Sequence, residues 1–411
     1  MTAIQERQSE QILFISLEHW DNVWRRNQII CAQLLARHPQ AEILWVGPPT
    51  DLWNIQGIKS VNAPLGTLFR PAGKEMKLYA LKPFKPLPNV VGRKLNERLF
   101  VQCVSAAIKK LGWKNYITWV NNQSYCHLLP YENSTKLIYD ITDDWSHASV
   151  PPHILAQVKA DDEWMLHNAD EVIVCSEDLL KNKRDRSKSI HLIRNGVKLK
   201  PYLPESLVQT ATPSEMKLEG SIAGYIGTLH EDRLDVELVI ESAGKLRSIN
   251  FVFIGPNSLT AENTRRLTEL PNVHIFGARP YEQLPAYMSA FDICITPHVV
   301  SPFTESLDPI KMYEYMATGK PIVSTACAGF RDLRDLIHIA DNTGRFTSLV
   351  TVAIEESKQI TVNAPSNGDA GTGNASAGSR ARVAWAGEQT WDKRVDAVEQ
   401  ILNWNPAAAP V

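Results

Sequence analysis

Short, almost uninterrupted apolar runs alternate with longer amphipathic stretches along the whole chain, and few folds accommodate that rhythm. In the first half the runs fall at 12–16, 43–47, 116–120, 137–140, 171–176 and 190–193; in the second at 222–227, 251–255, 273–277, 293–296 and 321–325. Strands that are apolar at nearly every position must be covered on both faces, which is the condition of a parallel sheet between helix layers. The intervening segments 22–37, 96–111, 151–167, 234–246 and 282–290 carry helical patterns. Strand, helix, strand, repeated, predicts an α/β chain with right-handed crossovers.

At 411 residues the chain is long enough for two such domains. Periodicity breaks between Val197 and Lys217, where Lys-Pro-Tyr-Leu-Pro and Thr-Pro-Ser interrupt it. The expected organisation is a Rossmann-like domain over 1–197, a linker over 198–217, and a second Rossmann-like domain over 218–386, followed by a helical tail over 387–411. The stretch 362–380, rich in Gly, Ala, Ser and Asn, reads as a flexible surface loop. Two doubly wound domains would face each other across a cleft, with ligands outside the carboxyl ends of the strands.

Charge narrows the function. Lys plus Arg number 43 and Asp plus Glu 45, so no overall positive field points to nucleic acid. The six cysteines form no Cys-x-x-Cys pair and read as buried thiols of a reducing compartment. The polar segment 1–11 lacks a signal-peptide core, and no apolar run is long enough to span a membrane, so the expected setting is cytoplasmic. One stretch departs from neutrality. Residues 69–98 hold Arg70, Lys74, Lys77, Lys82, Lys85, Arg93, Lys94 and Arg98 against Glu75 and Glu97, interleaved with Leu78, Tyr79, Leu81, Phe84 and Leu87. Such a segment is either a solvated loop or a face for an anionic membrane surface.

The phosphate-binding loop Gly-x4-Gly-Lys-Ser/Thr, the dinucleotide turn Gly-x-Gly-x-x-Gly after the first strand, the Gly-x-Ser-x-Gly elbow and His-Glu-x-x-His are all absent. The informative stretch is 306–325. Pro309 suits a helix start, Gly319 a helix end, and Lys311 and Glu314 are three apart and share a face. A lysine for phosphate and a carboxylate for ribose hydroxyls would together hold a nucleoside diphosphate. The alternative is an ordinary surface ion pair.

This stretch, together with 224–229, 272–288 and the Arg194-Asn-Gly-Val197 segment, resembles the GT-B glycosyltransferases. The similarity is greatest to the bacterial group 1 (family 4-like) enzymes of cell-surface polysaccharide synthesis. The resemblance implies a C-terminal domain for a nucleoside-diphosphate sugar, an N-terminal acceptor domain, and a tail helix that crosses back to the first domain. Glu314 matches the second glutamate of the family's Glu-x7-Glu motif, which grips the ribose. Ser306 stands where that motif has its first glutamate, so Ser306 or Asp308 would contact the sugar hydroxyls, and Lys311 stands where proline is usual. Gly227 and Thr228 resemble the glycine-rich turn under the diphosphate. The arginine that usually follows that glycine is missing, which makes Arg233 and Lys311 the candidates for charge neutralisation. Arg279, in the 272–288 motif, counts among the donor-site candidates.

On the acceptor side, His19 follows the first strand and Asp143 and Asp144 follow the run at 137–140, where residues face the ligand in this architecture. Asp143 or Asp144 as catalytic base resembles inverting enzymes of this fold, with His19 the second candidate; helix capping is the structural alternative for the pair. The implied chemistry needs no tightly bound cofactor and no metal. The implied partners are the nucleotide-sugar donor and a lipid-linked or saccharide acceptor, on the inner face of a membrane. Two other readings stay open: an epimerase or hydrolase of sugar nucleotides, and a non-catalytic nucleotide-sugar-binding protein.

Overall fold

The computed structural model describes residues 10–53, 65–71, 76–147, 150–362 and 376–404, with backbone alone for 360–362. The chain divides into two compact units. Unit 1 takes Met1–Asp21, Arg26–Arg194 and Arg394–Val411, and unit 2 takes Asn22–Arg25 and Asn195–Lys393. Among the described residues no helix is long and apolar enough to cross a membrane.

Unit 1 is built on strands β1 (Gln11–Ile15), β2 (Glu42–Val46), β3 (Thr50–Asp51), β4 (Leu68–Phe69), β5 (Leu78–Leu81), β6 (Phe84–Lys85), β7 (Tyr116–Val120), β8 (Ser134–Ile141), β9 (Glu171–Val174) and β10 (Ile190–Leu192). Eight of them form one sheet in the order β10-β9-β8-β7-β1-β2-β5-β4, and β3 pairs with β6 apart from it. All neighbours in the large sheet are parallel except β4, which runs antiparallel to β5 at the edge. The central strands are buried on both faces, as their unbroken apolar runs require; all five residues of β7 are inaccessible. The helix Arg26–Arg37 turns Ile29, Ile30, Leu34 and Leu35 inward, and the helix Asn89–Leu111 does the same with Phe100, Val104, Ala107 and Ile108.

Part of the basic stretch 69–98 is core. Leu78, Ala80 and Leu81 of β5 are buried between β2 and β4. The four-residue strand was invisible in the sequence because flanking lysines and prolines masked it. The helix Trp391–Leu402 has its later part in unit 1. Glu399 accepts from Arg37 at 3.2 Å and lies 2.8 Å from His38, Asp396 lies 2.6 Å from Arg37, and Lys136 donates to the Ile401 carbonyl at 2.6 Å.

Unit 2 holds β11 (Ser221–Ile226), β12 (Leu229–His230), β13 (Ile249–Ile254), β14 (Asn257–Ser258), β15 (Val273–Ile275), β16 (Ile293–Thr296), β17 (Ile322–Thr325) and β18 (His338–Ala340). Six make a wholly parallel sheet, β15-β13-β11-β16-β17-β18. The chain winds outward from β11 through β13 to β15, then returns to the other side of β11 with β16. The order therefore reverses between β11 and β16, and in open parallel sheets the carboxyl ends of the strands at such a reversal are where ligands are usually held.

Residues 198–217 are more than a connection. They carry short helices at Leu199–Tyr202 and Pro204–Val208, and Tyr202, Leu207 and Met216 are buried in unit 2. Of the stretch 362–380, residues 363–375 lie outside the described residues. Residues 377–380 open the helix Ala377–Gly387, whose first turn is capped by the Ser376 side chain accepting from the Ser379 amide at 3.1 Å.

Candidate functional site

Three loops meet at the reversal point of the unit 2 sheet. After β11 comes Gly227, with φ of 142°. A β-carbon there would sit 2.7 Å from Lys311 Nζ, so the lysine lies directly under the turn and only glycine leaves it room. Gly255, after β13, has φ of 150°, and a β-carbon on it would stand 2.1 Å from the Gly227 carbonyl oxygen. The two glycines hold each other's backbone in place. After β16 comes His298, 3% exposed, with Nε2 3.2 Å from the Tyr225 hydroxyl and 3.3 Å from Lys311 Nζ.

Lys311 lies on the helix Ile310–Ala317, and its ammonium also stands 3.8 Å from the centre of the Tyr225 ring. Arg233 lies over the Phe303 ring at 5.5 Å, and its charge acts on both His298 and Lys311. Burial, then the charges of Lys311 and Arg233, drive His298 well below the usual imidazole value. Burial and Arg233 bring Lys311 down from 10.5 to about 7. Basic groups crowded this closely at the strand ends, beside a glycine turn, have the chemistry that an anion would complement.

One turn along the same helix, Glu314 is 3% exposed and accepts from the Tyr202 hydroxyl at 3.0 Å. Burial pushes its carboxyl from 4.5 up to about 7, against the pull of Tyr202, Tyr281 and Lys311. Tyr202 comes from the segment expected to be a linker, and nothing in its local sequence marks it as part of a site.

In unit 1 the candidate residues also stand at strand ends, β1 for His19 and β8 for Asp143 and Asp144, with β7 between the two strands. His19 packs against Gly47, and its imidazole is held low by burial and then by the charge of Lys82. Asp144 is buried. It accepts from Ser146 Oγ at 2.5 Å, lies 3.4 Å from Lys183 Nζ and 3.5 Å from His147 Nδ1. Burial alone would raise its carboxyl, but the Ser146 hydrogen bonds and the Lys183 and His147 charges outweigh that and hold it below the usual range. Lys183, 1% exposed, bridges Asp144 to Asp162, the latter at 2.7 Å. Asp143 is the more accessible of the pair, with Thr142 Oγ1 donating to it at 3.3 Å. The most metal-like grouping among the described residues lies elsewhere in unit 1. Cys126, His127 and Asp161 present ligand atoms within 4.8 Å of one another, and His127 Nε2 is 3.2 Å from Asp161.

Residues 220–352 match the family described as "Glycosyl transferases group 1". This segment contains Gly227, Arg233, His298, Lys311 and Glu314. The likeness to that family covers about a third of the chain. A protein named as a teichuronic acid biosynthesis glycosyltransferase, TuaH of Bacillus subtilis (strain 168), is 28% identical over 202 residues, covering 46% of this chain and 50% of the relative. The chain thus matches about half the length of that relative. Among solved structures, sucrose-phosphate synthase from Thermosynechococcus elongatus superposes with a TM-score of 0.69 at 16% identity, covering 96% of this chain and 98% of its own. Anabaena HepE, solved with UDP and glucose, gives 0.63 at 13% identity, covering 95% and 99%. The chain has the GT-B fold.

Within the matched segment the sequence-predicted residues separate. Gly227, Lys311 and Arg233 cluster, and Glu314 stands beside them on the lysine's helix. Asp308 instead has both carboxylate oxygens occupied: Oδ2 accepts from the Asn195 amide at 2.5 Å and Oδ1 from the Tyr313 hydroxyl at 2.7 Å. Asp308 thereby ties the start of the helix to the Asn195-Gly196 segment. Ser306 is fully buried and donates to the Phe303 carbonyl at 2.9 Å. Arg279 spends its charge on Glu215 at 3.3 Å and donates to Tyr287 Oη at 2.6 Å. His298 and Tyr225, which shape the lysine's position, went unnoticed in the sequence. The signal was present, since His298 directly follows the strand-ending Thr296-Pro297 at a parallel-sheet carboxyl end.

Proposed function

We propose that this protein transfers a sugar from a nucleoside-diphosphate sugar to a hydroxyl group of a lipid-linked or saccharide acceptor in cell-surface polysaccharide synthesis. The observation that carries the reading is Lys311 seated under the Gly227 turn, with Arg233 and His298 beside it. The diphosphate would lie against the turn's backbone and be neutralised by Lys311 and Arg233, while Glu314 accepts the ribose hydroxyls. One neighbour of the same fold supports a uridine donor, since HepE was solved both with UDP and glucose and with UDP-glucose.

In the reaction the bond from the sugar's anomeric carbon to the donor phosphate breaks, and a bond from that carbon to the acceptor oxygen forms. The acceptor's proton goes to a base, and the nucleoside diphosphate leaves. Asp143 is the preferred base because it is more accessible than Asp144, which Lys183 and Ser146 occupy; His19 is the second candidate. Stabilisation of the departing diphosphate by fixed cations supplies most of the acceleration. Lys311 and Arg233 take the part that a divalent ion plays elsewhere, so the reaction is metal-independent and needs no bound cofactor. The first unit receives the acceptor, and the protein works at the cytoplasmic face of a membrane, held there peripherally through the 69–98 region.

A thermal-shift series with UDP, GDP, dTDP and ADP on the native protein, Lys311→Ala and Glu314→Ala tests this. A nucleotide at about 100 times its dissociation constant adds roughly 2.7 kcal/mol of stability. One nucleotide should stabilise the native chain, and both variants should diminish the shift. No shift with any of the four would overturn the donor site.

A further inference from the structure

Sequence alone spread the membrane reading over the whole of 69–98. The structure removes much of that stretch from contention, because β5 is core and Lys85 is engaged with Asp51 at 2.9 Å. Among the described residues, the most exposed apolar part of the stretch is the entry to the helix Asn89–Leu111. There Val90 is 96% exposed, Val91 76%, Leu95 44% and Leu87 40%. Exposed valines and leucines scattered singly need no explanation, but four within nine residues form a patch.

The helix itself explains why they are outside. Its buried face runs through Asn96, Phe100, Val104, Ala107 and Ile108. Lys94, Leu95 and Arg98, at i, i+1 and i+4, lie exposed on the helix beyond the kink at Gly92, where φ is −124° and ψ 15°, and Val90 and Val91 stand exposed on the turn before it. The patch is also braced. Asn96 donates to the Leu87 carbonyl at 2.7 Å and to Asn89 Oδ1 at 2.9 Å, and Gly92 has no side chain to obstruct Leu87, which crosses where its β-carbon would be. Lys94 and Arg98 flank the apolar groups, and among the described residues neither forms an ion pair; Arg93 is taken by Glu97 at 2.7 Å.

We propose that this helix entry is the membrane-contact surface of the protein, with Leu87, Val90, Val91 and Leu95 entering the interfacial layer and Lys94 and Arg98 on anionic headgroups. Apolar groups framed by cations that pair with none of the described acidic groups match an anionic lipid surface in both respects: area to bury and charge to complement. A protein partner of ordinary surface would satisfy the valines and leave the cations uncompensated. The proposal rests on the reading of the acceptor as lipid-linked and gives that acceptor a fixed side from which to approach unit 1.

The test is co-sedimentation of the full chain with vesicles of phosphatidylcholine containing a third phosphatidylglycerol, against pure phosphatidylcholine. Native protein should sediment with the anionic vesicles and not the neutral ones, and added salt should weaken the binding. The pair Val90→Glu, Val91→Glu and the pair Lys94→Glu, Arg98→Glu should each reduce it about tenfold or more. Val208→Glu, at another highly exposed valine in unit 2, is the control and should bind as the native chain does. Equal binding to both vesicle types, native-like binding by the valine pair, or equal loss in the control would overturn the proposal. So would a native dimer that the valine pair converts to monomer, since the patch would then belong to a second copy. Nucleotide thermal shifts on the same variants keep the donor site separately visible: they should be unchanged, so a failure here leaves the donor reading intact.

Discussion

The ammonium of Lys311 stands 3.3 Å from Nε2 of His298, two basic groups from different strand-end loops held against each other in a half-buried crevice. Burial and the neighbouring charges hold His298 in its neutral form, and its Nε2 is within hydrogen-bond reach of the lysine ammonium. That relationship makes the site's behaviour with pH specific.

Lys311 titrates near 7 in the folded protein against 10.5 for a free lysine. Between those values the unfolded chain binds more protons than the folded one, so with respect to this group the empty protein gains stability as pH rises from 7 towards 10.5. Donor binding should move the other way, because the diphosphate needs the charged lysine. With a sugar nucleotide, whose diphosphate does not titrate in this range, affinity should fall about tenfold from pH 6 to pH 8, following the protonated fraction. Isothermal titration across that range measures it, and Lys311→Arg should flatten the profile.

Replacing Gly227 by alanine forces a side chain against Lys311 at a backbone angle favourable only to glycine. A cost of about 1–3 kcal/mol in stability is expected, with a matching loss of nucleotide affinity. Denaturant unfolding and a nucleotide titration on the same sample separate the two effects. Unchanged affinity would mean that the turn does not face the anion.

Glu314→Gln keeps an acceptor for Tyr202 while removing a carboxyl that burial has raised to about 7. A raised carboxyl favours the folded state below its unfolded value near 4.5 and loses that contribution as pH rises through 7, so at pH 8 the buried charge is a burden. The glutamine variant should therefore be at least as stable as the native chain at pH 8. It should nevertheless bind the nucleotide about tenfold or more weakly, a hydrogen bond to a charged group being worth roughly 1.5–3 kcal/mol.

Lys183→Met tests the acceptor side. It leaves Asp144 and Asp162 buried without their shared cation, for which a loss of about 3–5 kcal/mol is expected. A melting curve and the urea midpoint read this directly. A loss below about 1 kcal/mol would mean that the two carboxylates are protonated or hydrated, and would return Asp144 to contention as the base.

Some of this was legible from residues alone. The runs at 116–120 and 293–296 coincide with β7 and β16, since strands buried on both faces write their burial directly into apolar composition. The helix after Pro309 and its end at Gly319 followed from local backbone preference, and the spacing of Lys311 and Glu314 put both on one helix. β5 escaped because four residues among lysines and prolines leave too short a period to read. The segment 198–217 looked like a linker because its prolines hid the buried faces of Tyr202, Leu207 and Met216.

By itself the sequence determined the alternation of strands and helices, the glycine turns and the resemblance to a known family. These depend on neighbours along the chain and on periods of a few residues. Only the tertiary structure decided which charges meet. Lys311, His298 and Arg233 are spread over nearly eighty positions, and Tyr202 reaches Glu314 across more than a hundred. Asp308, one residue before the helix-starting Pro309, accepts from Asn195 and Tyr313. The order in which the sheet reverses between β11 and β16 sets these encounters, and burial there, absent from any local pattern, gives the lysine and the glutamate their altered affinity for protons.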